Sequence, residues 1–112
     1  TIIGGATAIG IQLAGSAATQ RACNNIIMNV TTGILKQNSG NPTDDHNLFY
    51  NISGNNLVVI ATPTTPGTGS LLATNPLLVG STYVTAAGYA NGGATLRTGS
   101  PASRRARCVR LP

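Results

Sequence analysis

The chain has little charge and very few acidic groups. Of its 112 residues 8% are charged, with two aspartates and no glutamate, whereas roughly a quarter of the residues are charged in an ordinary soluble domain. Acid–base catalysis needs two carboxylates, or a carboxylate and a histidine, held apart in a cleft. Asp44, Asp45 and the single histidine, His46, are consecutive, so we interpret them as a solvated turn. We expect no catalytic residue, no small-molecule substrate and no enzyme activity.

Cysteine is also scarce, and its spacing bears on metal binding and on the compartment. Cys23 and Cys108 stand far apart and neither belongs to a CxxC pair, so we expect no metal and no cofactor. A Cys23–Cys108 disulfide would close a long loop and contribute about 4–5 kcal/mol by the chain-entropy estimate. It would require an oxidising compartment. Two free thiols in a protein made in the cytoplasm are the other interpretation, and the sequence leaves both open.

Low charge can indicate disorder or a membrane span, and the composition favours neither. Disordered chains are poor in β-branched residues, whereas this chain is rich in Thr, Ile and Val. The first 20 residues are uncharged, but their glycines and threonines make a poor helix. With no tryptophan and four aromatic residues, the core is expected to be thin and aliphatic, which neighbouring subunits could complete.

The N-terminal segment, residues 1–15, alternates bulky and very small side chains. Successive side chains of a strand point to opposite faces, so this segment would have one bulky row and one nearly bare row. A bare row allows another backbone to approach closely. We therefore predict an extended N-terminal arm that makes assembly contacts through its bulky residues, while the small residues permit close packing. The bulky residues are Ile3, Ile9, Ile11 and Leu13, and the small ones are Gly4, Ala6, Ala8 and Gly10.

The rest of the chain indicates short strands separated by turn formers. Alternation predicts a strand in residues 24–32, whereas 33–47 is rich in loop-forming residues. Segments 48–52 and 57–62 are interpreted as a β-hairpin, 63–70 as a surface loop, and 81–98 as a second hairpin around Asn91-Gly92. We find no internal repeat. The pattern predicts one all-β domain, a small β-sandwich or jelly roll of six to seven short strands, with an arm (1–15), a sandwich (16–99) and a basic tail (100–112).

Four of the arginines lie in the C-terminal tail and give the chain its uneven charge. They are Arg104, Arg105, Arg107 and Arg110. Such a tail can contact an acidic protein surface or nucleic acid, or it can simply be solvated. Nucleic acid is the less favoured partner because no aromatic residues interleave with the arginines. We therefore count the four arginines, with the four bulky arm residues, as candidate assembly contacts.

Three stretches resemble the small all-β virion proteins of tailed phages, of the head decoration (cement) or head-fibre type. They are the Ala/Gly/Thr-rich opening, the segment Thr19-Gln-Arg-Ala-Cys-Asn-Asn-Ile-Ile-Met28, and the Tyr83-Val84 hairpin ending in Ala94-Thr95-Leu96-Arg97. The resemblance implies a protein of the virion that stabilises a capsid through its arm and tail. Its partners would be other copies of itself and a major capsid protein.

A secreted pilus or filament subunit is the alternative. There the N-terminal arm would complete the fold of a neighbouring subunit by donor-strand-like exchange, in an extracellular filament with a filament protein as partner. This alternative predicts that Cys23 and Cys108 are bridged. Both functions are structural, and neither requires nucleic acid or a membrane.

Overall fold

Seven short β-strands and one 3₁₀ helix form the regular structure of the described residues, which confirms the all-β prediction. The computed structural model describes residues 1–5, 7–15, 20–37, 42–77 and 98–104. Its elements are β1 (Ile2–Ile3), β2 (Ile9–Leu13), β3 (Ile26–Met28), β4 (Thr32–Lys36), β5 (Leu48–Tyr50), β6 (Asn55–Val59), β7 (Thr62–Thr64) and the 3₁₀ helix Pro101–Arg104.

The strands form two sheets in which neighbours are mostly parallel. Sheet A has the order β1-β3-β5 and sheet B the order β2-β4-β6-β7. In sheet B, Ile11 pairs with Ile34 and Ile34 pairs with Leu57, a repeated offset of 23 residues. An isolated parallel bridge joins Arg21 to Thr43 outside these two sheets. The described strands therefore follow the path of a parallel β-solenoid.

Each winding of this solenoid is called a rung below. Rung 1 contains β1 and β2, rung 2 contains β3 and β4, and rung 3 contains β5 and β6. Residues with positive φ bend the chain at matching points of rungs 2 and 3. Asn24 (59°) and His46 (56°) come before the sheet A strands β3 and β5, and Asn29 (58°) and Asn51 (52°) come after them. Asparagine tolerates this left-handed conformation better than most residues. Equivalent strand residues of successive rungs thus lie 22 to 25 positions apart. A structural repeat is present, and our interpretation of the sequence as non-repetitive was wrong.

The pairing also corrects the predicted sandwich or jelly roll. Those folds are built from antiparallel strands, whereas four of the five pairs among the described strands are parallel. The predicted hairpin of 48–52 and 57–62 is wrong because β5 and β6 lie in different sheets. The turn-forming residues between them make a corner of the coil and not a reversal.

Two further local predictions are corrected by sheet B. The segment 33–47 was interpreted as a loop, yet its first four residues belong to β4, an inner strand of the sheet. The surface loop 63–70 begins with part of β7, which pairs antiparallel with β6. That reversal uses Ile60 (φ 46°) and Ala61 (φ 64°), residue types that seldom adopt positive φ. The predicted hairpin of 81–98 lies almost wholly outside the described residues.

Apolar side chains form two clusters on opposite faces of sheet A. Because successive residues of a strand face opposite ways, Ile27 and Phe49 join the first cluster, whereas Met28 and Leu48 join the second. The first cluster fills the inside of the coil together with residues of sheet B, such as Ile34. The second is covered in part by the C-terminal segment, because Ala102 of the 3₁₀ helix packs against it. Sheet A is consequently apolar on both faces.

Candidate functional site

The edge strands of rung 1 lie together at one end of the stack. β1 pairs only with β3, and β2 pairs only with β4, among the described residues. The outer hydrogen-bonding groups of β2 therefore have no neighbouring strand in this part of the chain. The sequence of β2, Ile-Gly-Ile-Gln-Leu, contains no charge and no proline. It thus lacks the two commonest features that protect an exposed edge from pairing.

The four bulky residues of the predicted arm have different environments. Leu13 is 8% exposed and belongs to the first apolar cluster, where Ile11 packs against it as a half-buried residue. Ile3 is half-buried and packs on the second cluster. Ile9 is 44% exposed. The described residues of 1–15 therefore pack mainly against strands of the same chain, and Ile9 is the one of the four that presents a large exposed surface.

The small residues of the arm permit close packing within the chain itself. A Cβ atom at Gly10 would lie 2.6 Å from the carbonyl oxygen of Gly33 and 2.6 Å from Ile27 Cγ2. Gly10 therefore leaves no room for a side chain, since real contacts of a Cβ atom are essentially never so short. The predicted close approach at Gly10 is thus present, and the approaching backbone belongs to rung 2.

The opposite end of sheet B is closed differently. β7 covers the outer edge of β6 in the antiparallel direction, and all three of its residues are exposed. Its central residue, Pro63, pairs with Val58 and has no N–H to offer a further strand. Proline on an edge strand is a known protection against pairing. The two ends of sheet B therefore differ, with an unprotected strand at one end and a protected strand at the other.

Asparagine side chains form a ladder of hydrogen bonds between rungs 2 and 3. Asn47 is fully buried, and its Oδ1 accepts hydrogen bonds from the backbone N and the Nδ2 of Asn25, each at 3.1 Å. Its Nδ2 donates to the carbonyl oxygens of Ala22 (2.6 Å) and Asp44 (2.8 Å). Nearer the surface, Asn51 Nδ2 donates to Asn29 Oδ1 at 2.8 Å. We did not predict this ladder, although the spacing of 22 residues between the members of each pair was visible in the sequence.

A buried ion pair joins β4 to the segment that was interpreted as a solvated turn. Lys36 Nζ and Asp44 Oδ1 lie 2.5 Å apart, and the two residues are 3% and 6% exposed. The second carboxylate oxygen of Asp44 accepts a hydrogen bond from the backbone N–H of Gly67 at 2.7 Å. The interpretation as a solvated turn was therefore wrong for Asp44, which links rung 2 to the segment that follows rung 3.

The remaining predicted contacts fall mostly outside the described residues. Arg105, Arg107 and Arg110 lie there, and Arg104 ends the 3₁₀ helix. Cys23 is disulfide-bonded, but Cys108 also lies outside, so the pairing of the two cysteines stays a prediction.

The described residues contain neither a cluster of metal ligands nor a membrane-spanning helix. Within the described ranges, no three His, Cys, Asp or Glu side chains come together as a group that could hold a metal ion. In the same part of the chain, no helix has the length and apolar character to cross a membrane. Comparison with protein-family models, curated proteins and solved structures finds no match to this chain.

Proposed function

We propose that this chain is a structural protein that acts by binding other protein chains through the edge of rung 1. The observation that carries this proposal is the state of β2, an uncharged strand with no neighbour on its outer side among the described residues. An unpaired strand edge is a template for another chain. Natural proteins usually protect such an edge, and the protection by Pro63 at the other end of the same sheet makes its lack at β2 a specific feature.

The resemblance to tailed-phage proteins gives this role its specific form. In that form the chain is a decoration or cement protein at the outside of a virion, where it binds the major capsid protein and further copies of itself. The stack of rungs suits such a role, because the asparagine ladder joins rungs 2 and 3 and the buried ion pair ties β4 to the segment before β5. A fully satisfied buried polar network favours one rigid arrangement. A rigid module can stabilise a shell by connecting neighbouring subunits.

A secreted filament subunit is the second candidate, and the disulfide at Cys23 favours it. Disulfides persist in oxidising compartments and are rare in the cytoplasm. Donor-strand-like exchange would require the arm to leave its own rung, where Leu13 is buried. Exchange of the arm is therefore costly, and a filament of this chain would be joined more easily through the edge of an intact rung 1.

Fractionation of the source culture tests the proposal and separates the two candidates. Particles and extracellular filaments are separated on a density gradient, and peptides of this chain are quantified in each fraction by mass spectrometry. The virion proposal predicts that the peptides band with particles that contain nucleic acid and a capsid protein. Peptides that band with filaments would favour the second candidate. Peptides found only as free protein of monomeric mass would refute both.

A further inference from the structure

We propose that two copies of this chain pair head to head through β2, as antiparallel strands related by a two-fold axis. The proposal rests on the structural role proposed above and names the partner at the edge of rung 1. It concerns the purified chain alone, so its test is independent of any capsid or filament protein.

The chemistry of β2 defines what can bind there. A strand at the edge of a sheet presents a row of backbone N–H and C=O groups, and a second strand satisfies that row better than any side chain. Ile9, at the start of β2, is 44% exposed and would lose much of this exposure under an added strand. The occupant is therefore an extended and uncharged segment with apolar side chains. β2 of another copy has all of these properties.

The other end of sheet B decides how two copies can meet. A head-to-tail stack would place β2 of one copy beside β7 of the next. β7 is short, and Pro63 removes a donor from its middle. Head-to-tail growth is thus disfavoured, whereas head-to-head pairing uses the unprotected edge of both copies. Such an isologous contact closes on itself and gives a dimer.

Symmetry then fixes the direction and the register of the pairing. The two copies of sheet B join edge to edge, with their inner faces on the same side of the combined sheet. A two-fold axis that relates them in this way makes the two β2 strands antiparallel. The register that pairs all five residues places Ile11 on the axis and sets Ile9 opposite Leu13 of the partner. No residue from 7 to 15 carries a charged side chain, so the pairing brings no like charges together.

The test is sedimentation equilibrium of the purified chain with its disulfide intact, from about 1 µM to about 1 mM, the range in which weak complexes associate. The wild-type protein is expected to reach a monomer–dimer equilibrium with no larger species. Ile9→Lys adds the charge that natural edges use against pairing, and it is expected to raise the dimer Kd at least about tenfold, or 1.4 kcal/mol. Because the Ile9 side chain is largely exposed, thermal unfolding of the monomer should change little.

Thr64→Lys is the matched control, because it adds the same side chain to an exposed position of the strand at the other end. Its dimer Kd should equal that of the wild type. Three results would overturn the proposal: a monomer at all concentrations, an unchanged Kd in Ile9→Lys, or an equal loss in Thr64→Lys. Association that continues beyond the dimer would also overturn it, because it would indicate head-to-tail growth. Failure of the chain to band with particles or filaments would contradict the proposed function and leave this dimer test unaffected.

Discussion

Removal of the buried carboxylate of Asp44 should destabilise the protein strongly. In Asp44→Ala, the ammonium group of Lys36 stays buried without its counter-ion, and the N–H of Gly67 loses its acceptor. Breaking a buried ion pair by removing one partner costs about 3–5 kcal/mol. The whole free energy of unfolding of a domain is only about 5–15 kcal/mol, so the variant should be folded marginally or not at all.

A double-mutant cycle tests the cause of this loss. Lys36→Met alone leaves the carboxylate buried and unpaired, and it should also cost about 3–5 kcal/mol. The double variant Lys36→Met/Asp44→Asn removes both charges and retains an oxygen that can accept from the N–H of Gly67. We therefore expect it to be more stable than the sum of Lys36→Met and Asp44→Asn predicts, with a coupling energy of at least about 2 kcal/mol.

The assay is guanidinium chloride unfolding followed by circular dichroism under non-reducing conditions, with thermal midpoints as a second readout. A loss of 1 kcal/mol lowers the midpoint by about 4–8 °C in a domain of this size. Asp45→Asn is the control, because this neighbouring carboxylate is half-exposed and should change stability by no more than about 0.5 kcal/mol. Single variants that each cost under about 1 kcal/mol, or effects that simply add in the double variant, would refute the buried ion pair.

Three further changes test the coil itself. Asn47→Ala removes the fully buried amide of the ladder and should cost about 3 kcal/mol in chemical unfolding, since several buried groups lose their partners; a loss below 1 kcal/mol would contradict the ladder. Gly33→Ala would place a Cβ atom 2.6 Å from Phe49 Cε1, so the thermal midpoint should fall by at least about 5 °C; an unchanged midpoint would contradict this contact. Deletion of 1–14 removes β1, β2 and the buried Leu13; it should abolish cooperative unfolding, and a truncated chain that still unfolds cooperatively would show that rung 1 is dispensable.

The positions of several strands could be predicted from local sequence patterns. The predicted strand 24–32 contains β3, and the segments 48–52 and 57–62 contain β5 and most of β6. Alternation and β-branched residues are properties of short segments, so they identify strands without knowledge of the fold. The asparagine ladder could also have been found, because Asn25 and Asn47 occur at the same spacing as Asn29 and Asn51.

The pairing of these strands could not be predicted in the same way. Asn and Gly residues at positive φ serve both a hairpin reversal and the corner of a coil, so the corner between β5 and β6 was interpreted as a hairpin. Parallel pairing joins residues more than 20 positions apart, and no local pattern reports such a distance. Asp44 was interpreted as part of a solvated turn because it is consecutive with Asp45 and His46 among turn-forming residues, and no local pattern indicates that Lys36 lies beside it.

The candidate site was predicted in part. The segment 1–15 was identified from its row of bulky residues, and the edge strands of rung 1 lie in it. Its packing against the same chain was not predicted, since alternation alone does not tell whether the matching surface belongs to the same chain or to a neighbour. Ile9 now becomes the residue of first interest, because Leu13 is in the core.

Amide hydrogen exchange of β2 at two protein concentrations tests whether the chain makes its contacts through this edge. In dilute monomer, the amides of Ile9–Leu13 that point away from β4 have no strand partner among the described residues, and we expect them to exchange rapidly. In concentrated protein, we expect the same amides to become protected, while exchange in β7 stays unchanged. Equal exchange rates in β2 at both concentrations, or new protection confined to β7, would contradict it.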